Sequence, residues 1–150
     1  MAGTPASSRS ADFSASRELV FGNNVNVNNG AGALLTWDTK GAGVELLDRS
    51  TLNAPTIITA GVYAVAVTAR GLTMTATGGY LLVLELDANG ADATAEDSAL
   101  ASAAYPSPET FAALVYYLPA GALVAVSVLN NDGVAARDFV LTNAVIQRLG

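Results

Sequence analysis

Any chemistry in this chain of 150 residues must come from carboxylates, amides and hydroxyls, because it contains no cysteine and no histidine. Their absence removes thiolate nucleophiles, disulfides, the commonest general base and the commonest zinc ligand. The oxygen-bearing candidates are few. Asp87-Ala88-Asn89-Gly90-Ala91-Asp92 has the flavour of a calcium loop but lacks its terminal acidic ligand. Asn89-Gly90 after an alternating strand is instead the signature of a hairpin turn. Asn130, Asn131 and Asp132 gather oxygens in another turn, which would suit a cation or simply close the loop. Glu96 and Asp97 are adjacent and so face opposite ways on a strand, while Glu85 and Asp87 share a face and read as a solvated sheet surface. No Gly-x-Ser-x-Gly elbow is present, and no phosphate-cradling glycine loop precedes a lysine. Trp37 beside Asp38 offers a ring to a sugar, but a single tryptophan in a strand is more simply core. The asparagines from Asn23 to Asn29 offer a glycan contact or, more simply, a solvated edge. The expectation is a non-enzymatic chain: no catalytic residue, no cofactor and no metal.

Composition narrows the partners. Seven basic against thirteen acidic residues give a net charge of −6, with Lys40 the only lysine. Nucleic acid, which is bound by lysine and arginine displacing counterions, is therefore not expected. Hydrophobic residues make up 51% and charged ones 13%, enough apolar surface to exclude a disordered acidic chain. Residues 110–131 are uncharged, but Pro119-Ala120-Gly121 breaks them into strand, turn and strand rather than a membrane helix. Residues 50–69 yield to the same argument through Pro55 and Gly61. Met1 to Ser8 are small and polar where a secretory signal needs an apolar run. The expectation is a chain that stays in the cytoplasm or leaves it inside a larger particle, with no membrane partner.

Two regions follow. Residues 1–17 form an N-terminal arm whose one large apolar residue is Phe13, with Arg9 and Arg17 placed to meet acidic surface. Residues 18–150 form one β domain. Its apolar runs are Val25 and Val27, 33–37, 44–47, 62–68, 80–86, 111–118, 123–129 and 139–149, separated by Gly, Asn and Asp turns, as in a sandwich or barrel. The alanine-rich 91–104 is open between a short helix and a loose strand pair.

Alternation supplies one more clue, because residues two apart on a strand share a face. Phe111, Ala113, Val115 and Tyr117 lie on one face of their strand, and Ala112, Leu114, Tyr116 and Leu118 on the other. The last strand sets Phe139, Leu141 and Val145 opposite Val140, Ala144 and Ile146. A sheet that is apolar on both faces needs a second cover, and no helical layer is available, so another subunit is expected.

Three segments resemble the landmarks of the complement-globular-head and tumour-necrosis-factor-like superfamily. Asn53 to Tyr63 matches its proline, short loop and Gly-x-Tyr opening of a central strand. Leu118-Pro119-Ala120-Gly121-Ala122-Leu123-Val124 is similar to its Leu-x-x-Gly-Asp-x-Val turn, with Ala122 in place of the aspartate. Asp138 to Thr142 matches its late phenylalanine strand. The resemblance implies an all-β, two-sheet antiparallel jelly-roll sandwich of about ten strands, assembled as a homotrimer. It also implies that Phe111, Val115, Tyr117, Phe139 and Leu141 line the threefold axis. The function expected from it is a structural knob of a larger particle in a virion, as a bacteriophage capsid decoration or head-fibre protein. Its partners would be a major capsid protein or a fibre protein, and Arg9, Phe13 and Arg17 would anchor the arm. The alternative is a receptor- or glycan-binding tip of a tail fibre or other adhesin, with Trp37 and the turn loops making contact.

Overall fold

Apolar residues alternating at a period of two, cut by glycine and asparagine, build twelve strands among the described residues. The structure, a computed structural model, describes residues 16–74, 79–88 and 91–150. In chain order the strands are β1 (Arg17–Phe21), β2 (Val25–Val27), β3 (Gly32–Leu34), β4 (Thr39–Gly43), β5 (Leu47–Asp48) and β6 (Thr56–Ile57). The longer ones follow: β7 (Gly61–Leu72), β8 (Gly79–Ala88), β9 (Ala91–Leu100), β10 (Glu109–Leu118), β11 (Leu123–Asn131) and β12 (Arg137–Arg148). One sheet runs β10-β7-β12-β1-β4, with β2 beside β12; the other runs β5-β6-β11-β8-β9, with β3 beside β11. Every pairing is antiparallel. This is the expected two-sheet jelly-roll sandwich, with twelve strands rather than about ten.

The core lies between the sheets. Tyr63, Val65, Val67 and Ala69 of β7 face Tyr80, Leu82, Leu84 and Leu86 of β8, and all are buried. Tyr80 packs edge-on to Phe139 with ring centroids 5.0 Å apart. Its hydroxyl donates to Pro108 O at 2.6 Å, and desolvation raises its pKa above the ordinary tyrosine value. No helix occurs among the described residues, and so none is long and apolar enough to cross a membrane.

Three local readings resolve differently from expectation. Residues 91–100 are neither helix nor strand pair but one strand, in register with β8 from Gly79↔Leu100 to Ala88↔Ala91. Residues 39–43, a glycine-containing loop by sequence, pair with β1 as an edge strand, where Lys40 discourages further pairing. Trp37 lies beyond β3 instead of within a strand, although it is fully buried as expected.

The sandwich is tied at both sides. On one, the Asp97 carboxylate of β9 accepts the Phe111 N–H of β10 at 3.0 Å, joining the two sheets. On the other, the buried Glu18 of β1 accepts the N–H groups of Leu46 and Leu47 at 2.6 and 3.0 Å. Arg49 lies 3.5 Å from its second oxygen and donates to Trp37 O at 3.0 Å. The family-like Gly-x-Tyr is equally physical. A Cβ on Gly61 would stand 2.6 Å from Gly150 O and 2.7 Å from Arg148 Nε, while Tyr63 donates to Thr59 O at 2.6 Å.

Glu18→Ala strips two buried N–H groups and a mostly buried guanidinium of their acceptor, at a cost of about 3–5 kcal/mol. The melting temperature is expected to fall by roughly 10 °C, measured by circular dichroism; an unchanged melt would remove Glu18 as a tie.

Candidate functional site

The outer face of the first sheet is where unusual residues gather. Strand β10 is an edge, and its register with β7 sets Phe111 beside Thr68, Ala113 beside Ala66, Val115 beside Ala64 and Tyr117 beside Val62. Beyond β7, Val145 and Gln147 of β12 continue the rows of Ala66 and Ala64. The result is a shallow groove of about 280 Å³ floored by Ala64, Ala66 and Ala113. Phe111, Val115 and Tyr117 stand around it, 57%, 63% and 57% exposed. The ion pair Arg70–Glu109 closes one end, and Arg17 lies in the row of Gln147. A wet antiparallel face is normally polar, and monomers seldom leave a contiguous apolar patch of this kind open.

The expected pairing of this face with Phe139 and Leu141 is corrected. Both are fully buried inside the sandwich. The register of β12 against β7 slips between Leu141↔Ala69 and Asn143↔Thr68, so Thr142 is an extra, bulged residue whose hydroxyl donates to Thr68 O at 3.0 Å. A bulge switches the parity of side chains along a strand. Before it Phe139 and Leu141 point inward; after it Ala144 and Ile146 do. Strict alternation had split these two pairs onto opposite faces. The small residues Ala64 and Ala66 escaped the sequence reading, although their alternation with Tyr63, Val65 and Val67 carries the signal.

Most other candidates turn out to be structural. Asn130 donates to Val27 O and Ala135 O and accepts from Asp132 N, and Asp132 pairs with Arg137. That turn is held by its own chain. Asn26 donates to Asp138 and Asn29 accepts from Gly133 N, so these asparagines staple neighbouring loops. The buried Trp37 has no face to offer a sugar. Glu96 and Asp97 do face opposite ways, Glu96 exposed and Asp97 toward β10. Arg17 belongs to β1 rather than to an arm; Arg9, Phe13 and Asn89-Gly90 lie outside the described residues. Among the described residues no three acidic side chains converge on a point that would hold a metal ion.

Compared by sequence, the chain matches no protein-family model and no curated protein. Compared by structure, it is similar to Eiger TNF from S. frugiperda at 17% identity and TM-score 0.60, over 90% of this chain and 92% of that one. It is likewise similar to PRD1 vertex protein P5 at 14% identity and TM-score 0.62, over 91% and 98% of the two chains. Murine APRIL matches at 13% identity and TM-score 0.60, over 84% and 98%. The fold is therefore the tumour-necrosis-factor-like jelly roll, shared by Eiger TNF, APRIL and the PRD1 vertex protein.

Phe139→Ala removes a ring from the core beside Tyr80 and should cost about 3–5 kcal/mol. A chemical-denaturation midpoint equal to wild type would return Phe139 to the surface, contrary to its placement here.

Proposed function

We propose that this chain is a non-enzymatic structural protein that forms a homotrimeric knob through the outer face of its first sheet. The observation that carries the reading is the row of exposed Phe111, Val115 and Tyr117 on a face that no second layer covers among the described residues. Burying such a face against copies of itself removes apolar surface from water at roughly 25 cal/mol per Å². The tumour-necrosis-factor-like fold supports a threefold arrangement, and Val145 and Gln147 take the places that Phe139 and Leu141 were expected to fill. The lack of histidine and cysteine and the structural use of the polar turns support the absence of catalysis.

The particle we favour is a virion, with the knob as a bacteriophage capsid decoration or head-fibre protein bound to a major capsid or fibre protein. The likeness to a vertex protein supports this context. Residues 1–15, with Arg9 and Phe13, are the proposed anchor; Arg17, being part of β1, holds the domain instead.

Two measurements test these statements. Phe111→Asp places three carboxylates in an apolar seam without partners, which costs several kcal/mol. Sedimentation should show wild type at three chain masses and Phe111→Asp as a folded monomer; a wild-type monomer at micromolar concentration would end the trimer reading. Deletion of residues 1–15 should leave the trimer intact but abolish co-sedimentation with the stripped particle. Equal binding by the truncated chain would remove the arm as anchor.

A further inference from the structure

We propose that the outer face of the second sheet is a separate docking surface for a protein partner whose contact region is apolar and edged by lysine or arginine. The register places Leu129 beside Leu81 across β11 and β8, and Leu34 of β3 beside Ser127, which in turn pairs with Val83. Leu100 of β9 stands beside Gly79 at the end of the same face. Leu34, Leu129 and Leu100 are exposed, the last by 78%. Two adjoining depressions, of about 330 and 200 Å³, share Leu81 and Leu129. Gly32 pairs with Leu129 from β3 and brings no side chain to cover it. An antiparallel face open to water has no reason to carry this cluster, which is of the kind that marks an interaction site.

Charge identifies the occupant. The strands β3, β5, β6, β8, β9 and β11 of this sheet contain no lysine or arginine at all. The first sheet carries Arg17, Lys40, Arg70, Arg137 and Arg148. On the second sheet's outer face, the apolar cluster gives way along the same strands to acid. Glu96 pairs with Val83, Glu85 with Ala125 and Thr94, and Asp87 with Leu123; Glu85 and Glu96 are exposed. An apolar centre with a one-sided acidic border complements an apolar surface bordered by basic residues. It repels phosphate, and so nucleic acid and anionic lipid. A second copy of this sheet is also disfavoured, because its strands offer no lysine or arginine to meet that border. The inference rests on the trimer reading in one respect: when the first sheet is used for assembly, this face points outward in each of three copies.

A synthetic strand peptide alternating leucine and arginine serves as the probe, with the leucine–glutamate peptide as its control, both titrated by fluorescence anisotropy at low and high salt. The leucine–arginine peptide should bind wild type, more weakly at high salt, and the control should not. Leu129→Ser should weaken binding at least tenfold. The double variant Glu85→Lys, Glu96→Lys, which alters only exposed positions, should weaken it at least tenfold as well and admit the leucine–glutamate peptide. Absence of binding, or equal affinity for wild type and either variant, overturns the proposal. So does a wild-type assembly larger than three chains that Leu129→Ser returns to three, since the occupant would then be a second copy. Mass measured on the same samples reports the trimer reading separately, because a monomer would still present this face to the peptide.

Discussion

The constraint on which the rest depends is the parity of the central strand β12. It lies between β7 on one side and β1 and β2 on the other, so its inward residues decide what the first sheet contributes to the core. With Thr142 bulged, Phe139, Leu141, Ala144 and Ile146 all point into the sandwich. A regular strand would have sent one of these pairs into solvent. The outward set that remains, with Val145 and Gln147, is flatter and smaller. That lets the alanine floor of the groove stay open between the large side chains of β10.

Once the core is fixed, each sheet still has an apolar outer face, and the two differ in electrostatics. The first carries its charges at the ends of its rows: Arg70 neutralised by Glu109 at one end and Arg17 at the other. The second has acids bordering its apolar cluster and no base in any of its strands. The buried ion pairs keep off both surfaces. Glu18 and Asp132 are fully buried and are matched by Arg49 and Arg137. Those contacts fix loops to strands, leaving the outer faces to be shaped by apolar side chains and a few exposed carboxylates.

Much of this was legible in the chain itself. The doubled apolar faces of 111–118 and the turn at Pro119–Gly121 follow from period and turn chemistry and lead to a sandwich or barrel; the jelly roll is what the resemblance of the Gly-x-Tyr and the other two landmarks to the tumour-necrosis-factor-like superfamily implied. What escaped depended on contacts distant in sequence. The inward parity of Phe139 is set by Thr142 reaching Thr68 O, a contact invisible to alternation. The strand at 91–100 contains alanine and acid in place of β-branched residues, and it is held by ten register pairs with β8; here tertiary pairing outweighs weak propensity. Thr39–Gly43 is strand only because β1 lies beside it. The burial of Trp37, by contrast, follows from its size and apolar area, and that expectation agreed with the structure.

The two faces should obey different physics when they are occupied. Contact through the first sheet gains mainly from removing Phe111, Val115 and Tyr117 from water, a driving force with a large negative heat capacity and little dependence on ionic strength. Contact through the second sheet adds attraction between Glu85 and Glu96 and a basic border, which salt screens over about 10 Å at 0.1 M. With both proposed contacts in place, assembly would hold constant while ionic strength adjusts what the second face binds. Charge segregation between the sheets would keep the two proposed contacts apart: had Arg70 or Arg148 fallen on the second sheet, its acidic border would be neutralised internally. Thirteen acids and seven bases therefore matter less for their sum than for the sheet on which each lies.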